Sequence, residues 1–156
     1  MPDNEAEEVD VVAQMNAGLE VLIPVAHRIG VRFTELRPGF AQTSVPFEGN
    51  GNHFGVIYAG VIFTVAEVLG GGLHFVTFDV STHYPLVKSV QIDFLLPGKT
   101  PLTAQASLSD DEVARLKAES AGGQKANFEL IAEVLGEDGT VVARTRGDYQ
   151  LRPYGA

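Results

Sequence analysis

The chain contains no cysteine, which removes disulfides and thiolate chemistry together and favours a cytoplasmic address. Positive charge is scarce: 11 Lys and Arg stand against 20 Asp and Glu, for a formal net charge of −9. A nucleic-acid partner needs a basic surface to meet phosphates, so that class is excluded. No Gly-x-Ser-x-Gly elbow occurs, which excludes the usual serine-hydrolase nucleophile. The triplet Gly70-Gly71-Gly72 lacks the Lys-Ser/Thr of a phosphate loop and reads as a close-packing site or a helix end. His27, His53, His74 and His83 are scattered without metal-ligand spacing, so no metal centre is expected. No basic segment precedes an apolar run, so no signal peptide is expected.

What remains is an ordinary globular composition, 45% hydrophobic and 20% charged over 156 residues, enough for a core. No repeat, low-complexity segment or linker interrupts residues 1–156, so a single domain is expected. Asp3, Glu5, Glu7, Glu8 and Asp10 crowd the N-terminus. They suit a solvated helix start favoured by the macrodipole, or an acidic interaction tail. Val12, Met15, Leu19 and Leu22 fall at helical spacing, which predicts an amphipathic helix within 1–23 that ends before Pro24.

The rest of the chain predicts strands around one more helix. Arg28 to Leu36 and Phe40 to Pro46 suit two strands joined by the turn-forming Arg37-Pro38-Gly39. After residue 75 the period becomes two. Val90, Ile92 and Phe94 form one alternating set, and Leu102, Ala104, Ala106 and Leu108 a second. Phe128, Leu130, Ala132 and Val134 form a third, and Val141, Ala143, Thr145 and Tyr149 a fourth. Asp138-Gly139 marks a hairpin between the last two strands. Ser109 with Glu112 three residues on is a helix-start signature, so a short helix is expected before those strands. Runs of strands with a lone hydrophobic helix predict an α+β fold, an antiparallel sheet wrapped on that helix.

That helix is expected over 58–72, inside the run NHFGVIYAGVIFTVAEVLGGGLHF. Its length would suit a membrane span, but Glu67, His74 and five glycines argue against one. At about 100° per residue, Gly60, Thr64, Glu67 and Gly71 share one narrow face, and the other faces are apolar. Small residues on such a stripe let a ligand or another backbone approach. Glu67 reads in two ways: a structural carboxylate that reaches solvent or pairs with an arginine, or an acid facing a cleft or a subunit interface with its pKa raised by desolvation. Upstream, Asn52 offers a side-chain amide, and the N–H groups from Tyr58 to Gly60 begin a helix without intrahelical partners. Such donors suit a carbonyl oxygen that becomes negative during acyl transfer to water. Phe54, Phe63 and Phe75 suit an apolar pocket.

The run from Asn52 to Glu67 resembles the motif of PaaI-like and YiiD C-terminal-like hotdog-fold acyl-CoA thioesterases. That motif reads Asn-x-x-Gly-x-x-His-Gly-Gly, followed seven residues after the last Gly by Asp or Glu. Here Asn52, Gly55, Gly60 and Glu67 keep every spacing, while Tyr58 replaces the His and Ala59 the first Gly. The resemblance implies a hotdog fold, hydrolysis of an acyl thioester by water, and no cofactor beyond the coenzyme A of the substrate. It makes Glu67 the catalytic base or nucleophile, Asn52 the group positioning water or thioester, and the Ala59 and Gly60 amides the oxyanion donors. Gly55, Tyr58, Phe63 and Thr64 would line the substrate. Lys125, and at strand ends Lys88, would meet coenzyme A phosphates unless they are simply solvated. The implied partners are acyl-CoA or an acyl-carrier protein and a second copy of the chain, as a homodimer or dimer of dimers, with no nucleic acid and no membrane. The strand near Val87 to Leu96 would be the sheet edge that pairs across the dyad. A non-catalytic module that binds acyl thioesters as sensor or scaffold is the alternative, favoured by Tyr58 in place of His.

Overall fold

The computed structural model describes residues 9–156. Asp3, Glu5, Glu7, Glu8 and the start of the expected 1–23 helix lie outside them. Helix α1 (Val11–Leu22) starts at Asp10, whose carboxylate accepts from the N–H groups of Val12 and Ala13, both at 3.1 Å. Asp10 is therefore a cap, satisfying two of the donors that a helix start leaves open. A short helix α2 (Pro24–Arg28) follows, with Pro24 in its first turn, where a missing N–H costs nothing. The first strand consequently begins later than expected: β1 is Arg32–Arg37, not Arg28 onward. β2 (Phe40–Val45) returns antiparallel across the Pro38-Gly39 turn, where Gly39 has φ +79°.

The central helix runs past its expected end. α3 (Ala59–Glu67) and α4 (Leu69–Thr77) are one apolar rod interrupted only at Val68. Gly70-Gly71-Gly72 thus lies inside the helix and serves packing rather than termination. A Cβ on Gly70 would run into the ring of Tyr149, and one on Gly72 into the ring of Phe33. By length and composition Ala59–Thr77 could cross a membrane. Here α3 packs on β2, β4 and β5, and α4 on β1 to β4. β3 is His83–Phe94, β4 Leu102–Ser107, β5 Ala126–Leu135 and β6 Val141–Pro153. All pairings are antiparallel, in the order β1-β2-β4-β5-β6-β3.

The alternation read from the sequence is the alternation observed in β5, where Phe128, Leu130, Ala132 and Val134 are buried and their neighbours face out. With Val61, Ile62, Val65, Ala66, Leu69 and Leu73 of the helix, these residues form the core. Each fully buried Leu or Val contributes roughly 1.5–3 kcal/mol relative to exposure. α5 (Asp110–Ser120) is the expected insertion, with the Ser109 hydroxyl accepting from the N–H of Glu112 at 3.1 Å. Fully buried Leu116 anchors it.

β3 is an edge strand, and it starts at His83 rather than Val87. Pro85 is tolerated because an edge strand has a free side. The register with β6 shifts between Val87 and Ser89, so Lys88 is the extra residue of a bulge. Leu95 and Leu96 both donate from backbone N–H to the Val142 carbonyl, at 2.8 and 3.1 Å, which ends the ladder.

Gly72→Ala places a methyl group where the ring of fully buried Phe33 already sits. Overpacking of this kind costs about 1–3 kcal/mol, so the melting temperature should fall clearly in thermal denaturation. An unchanged melting temperature would contradict this packing.

Candidate active site

The stripe foreseen on the helix is where the helix emerges from the sheet. Gly60, Thr64, Glu67 and Gly71 are half-buried, Phe63 beside them is 37% exposed, and Val61, Ile62, Val65, Ala66, Val68 and Leu69 are buried. A Cβ on Gly71 would meet nothing within 4 Å, so the stripe faces open space there, whereas at Gly60 the Tyr58 ring covers it.

Glu67 lies on the last turn of α3. Burial raises its pKa above the ordinary carboxylate value. Among the described residues no cation pairs with it: the arginines engaged in ion pairs bind Glu35, Glu112, Glu119, Glu129 and Glu133 instead. Within one chain, the arginine-paired alternative has no partner among the described residues. Thr64, one turn earlier, donates its hydroxyl to the Gly60 carbonyl at 2.7 Å. Its proton is spent on the helix, so toward a substrate Thr64 offers only lone pairs.

At the start of α3, the Tyr58 N–H has no intrahelical partner but donates to the Asn50 carbonyl at 2.9 Å, so it is not a free donor. The Ala59 and Gly60 N–H groups have no partner among the described residues. The Tyr58 carbonyl takes the N–H groups of Val61 and Ile62 at 3.0 and 3.2 Å, which starts the helix. The ring of Tyr58, 59% exposed, lies over the Cα of Gly60. Gly55, at φ +74°, closes a turn by donating to the Asn52 carbonyl at 3.0 Å. Its role is to shape the loop. The Asn52 side-chain oxygen accepts from the N–H of Phe54 at 2.9 Å and of Val56 at 3.4 Å, which leaves its NH₂ as the group with donors to offer. Asn50, which sequence reading passed over, is the buried anchor of this loop. It donates to the carbonyls of Ile29 and Pro46, both at 2.8 Å.

Within one chain these groups form two clusters rather than one. Asn52 and Ala59 line a cleft of about 310 Å³ with Ile62, Phe94, Leu96 and Gly98. Glu67 is seven residues along from Gly60, about 10 Å at 1.5 Å per residue. No single carbonyl group can touch both. Lys88 opens on a different cleft of about 540 Å³, shared with Glu112, Glu129, Asp148 and Arg115, the last paired with Glu112. Three carboxylates there make a poor phosphate site. Lys125 is exposed just before β5 and does not line the Asn52 cleft.

The fold also joins two histidines that the sequence leaves nine residues apart. His83 is buried, its Nε2 2.8 Å from the Gln124 carbonyl. Burial, and then the charge of His83, lower the pKa of buried His74 to about 4. No group of three His, Asp or Glu that could hold a metal occurs among the described residues.

Residues 12–151 match the family described as "Domain of unknown function (DUF4442)". Functionally curated proteins include none that matches the chain. Among solved structures, a Pseudomonas aeruginosa protein described as of unknown function and a probable thioesterase is similar at 35% identity and TM-score 0.83. That similarity covers 91% of this chain and 96% of the other. A thioesterase from Haemophilus influenzae is 13% identical with TM-score 0.74, covering 93% and 92%. The PaaI protein of the E. coli phenylacetic acid degradation operon is 19% identical with TM-score 0.66, covering 91% and 93%. The last two share the hotdog fold.

The Glu67 result carries a pH dependence. Its pKa is raised in the folded state, so folding disfavours the ionised form, and the penalty is fully present above the folded pKa. It is relieved as pH falls through that value toward 4.5 and below. Glu67→Gln should therefore raise the melting temperature at neutral pH, with the gain shrinking as pH falls through this window. A loss of stability at neutral pH would mean that the carboxylate has a stabilising partner after all.

Proposed function

The chain belongs to the family described as Domain of unknown function (DUF4442) and has the hotdog fold, and from that premise we propose that it hydrolyses an acyl thioester, of coenzyme A or of an acyl-carrier protein. The observation that carries this reading is Glu67: a half-buried carboxylate of raised pKa, without a cation, on the open stripe of the central helix. Such a group is a stronger base than a solvated one. It takes a proton from water as the water oxygen attacks the thioester carbonyl carbon. The oxygen that becomes negative is met by the free N–H groups of Ala59 and Gly60, with the Asn52 NH₂ at its side. Collapse of the tetrahedral adduct breaks the C–S bond, and the thiolate takes up the proton.

The separation of about 10 Å along the helix is closed by a second copy of the chain. β3 is an edge with unpaired backbone groups, and Val87, Phe94, Leu95 and Leu96 are exposed along it and just beyond. Two-fold antiparallel pairing centred near Val90 sets the Phe94 end of one strand against the Val87 end of the other. Phe94 shares its cleft with Ala59, and Val87 pairs with Tyr149, whose hydroxyl lies by Glu67. The donors of one copy then face the acid of the other, in a homodimer or a dimer of such dimers. Sedimentation at micromolar concentration should give no monomer. A monodisperse monomer would end this assembly and with it the shared site.

Ala59→Pro tests the oxyanion donor with little disturbance. Proline is at home in the first turn of a helix, and Tyr58 before it already has φ −59° and ψ 137°, the extended backbone that proline requires. The variant should melt like the parent while thiol release from an acyl-CoA panel falls about 10²- to 10³-fold. Glu67→Gln should lower turnover about 10²- to 10⁴-fold with acyl-CoA affinity little changed. Full hydrolysis by either variant would remove that group from the mechanism. Tight binding of acyl-CoA without thiol release by the parent would identify a sensor or scaffold instead.

A further inference from the structure

The stripe that carries Glu67 is covered at one end and open at the other. At Gly71 a Cβ would meet nothing within 4 Å, whereas at Gly60 it would stand 2.6 Å from Cε1 and 3.2 Å from Cζ of the Tyr58 ring. Gly60 is not among the glycines at positive φ. The ring, and not the backbone, is therefore what excludes a side chain there. The N–H groups of Ala59 and Gly60, without partners among the described residues, lie at this covered end.

Tyr58 stands on a fixed backbone. Its N–H donates to the Asn50 carbonyl at 2.9 Å, and the N–H of Ile57 before it to the Gly98 carbonyl at 2.8 Å. Asn50 is itself buried and bonded to the carbonyls of Ile29 and Pro46. The Tyr58 side chain adds little to this scaffold: it makes no capping hydrogen bond to the helix, and the residue is 59% exposed. The fold sets where the ring lies without needing the ring to hold together.

Ala59, about 100° around the helix from Gly60, opens on the apolar cleft of Val56, Ile57, Ile62, Phe94 and Leu96. A carbonyl oxygen that accepts from the Ala59 and Gly60 N–H groups sets its acyl carbon between that cleft and the ring. We propose that the Tyr58 ring is the specificity wall of the site: it admits acyl groups whose carbon next to the carbonyl is an unbranched CH₂ and rejects those branched there. A straight chain passes the ring edge and enters the cleft. A branch needs the space over Gly60 that the ring already fills, so discrimination comes from a clash and not from weaker attraction. This inference rests on the hydrolase reading of the same site and adds the class of acyl group.

Butyryl- and isobutyryl-CoA test it, because the two isomers have the same atoms and differ only in the branch. The parent should turn over the straight isomer with kcat/KM at least about tenfold above that of the branched one. Tyr58→Ala should bring the ratio near one by raising kcat/KM for isobutyryl-CoA, a gain that damage to the fold does not produce. Tyr58→Phe keeps the ring and should keep the parent's ratio. Equal handling of the isomers by the parent, an unchanged ratio in Tyr58→Ala, or its loss in Tyr58→Phe overturns the inference. Ketone analogues of both isomers, with CH₂ in place of the thioester sulfur, report the same discrimination as Kd without hydrolysis. If their Kd ratios follow this pattern while the parent releases no thiol, the wall stands and the hydrolase reading falls. If the parent binds neither analogue and releases no thiol, both fall.

Discussion

The central helix has to bury an apolar surface on almost every side while leaving its backbone satisfied, and the rest of the structure answers to that requirement. Val61, Ile62, Val65, Ala66, Leu69 and Leu73 demand a surface that surrounds them, which a six-stranded antiparallel sheet supplies. Sheet and helix approach so closely at Gly70 and Gly72 that rings from Tyr149 and Phe33 lie directly on the helix backbone. The wrapping sheet leaves one strip of helix open, from Gly60 to Gly71. Chemistry involving the helix has to happen along that strip.

Burial and charge oppose each other there, and the opposition explains why Glu67 is suited to act as a base. A carboxylate in this position loses hydration without gaining a cation among the described residues, so its proton affinity rises. A structural role would have called for an arginine, yet the arginines that form ion pairs do so with carboxylates on the sheet surface and on α5. The same incomplete wrapping leaves β3 as an exposed, partly apolar edge beside the strip. The proposed reactivity and the proposed assembly thus share one cause. In the proposed dimer, pairing two copies would cover the edge and desolvate the acid in the same step.

The glycines divide by physical role. Gly39 and Gly55 sit at positive φ, where turns need a residue without a side chain. Gly70, Gly72 and Gly147 have no unusual backbone and are needed because aromatic rings occupy the space of their missing Cβ atoms. In a triplet that propensity alone would make a helix end, at an intrinsic cost of about 1 kcal/mol per glycine, Gly70 and Gly72 are thus held inside the helix by packing.

Local pattern was enough for much of this. Periods of two and of about 3.6 residues revealed the strands of the second half and the helix with its single polar stripe, because those periods follow from backbone geometry alone. Ser109 with Glu112 marked α5, and Asp138-Gly139 the last hairpin, because caps and turns are short-range chemistry. The spacing from Asn52 to Glu67 likewise lies within one continuous stretch of chain. Other features depended on residues far apart in sequence. The α2 helix displaced the start of β1, the bulge at Lys88 set that residue on a cleft of acids, and the Asn50 carbonyl took the Tyr58 donor. Tyr149 stands 82 residues from the carbonyl it faces, and its place beside Glu67 exists only once β6 crosses the helix between two glycines. The sequence by itself determined which residue types face inward and which acid stands among them. Only the tertiary structure decided what surrounds that acid, because its solvent, its missing cation and its neighbouring hydroxyl depend on contacts that no local pattern encodes.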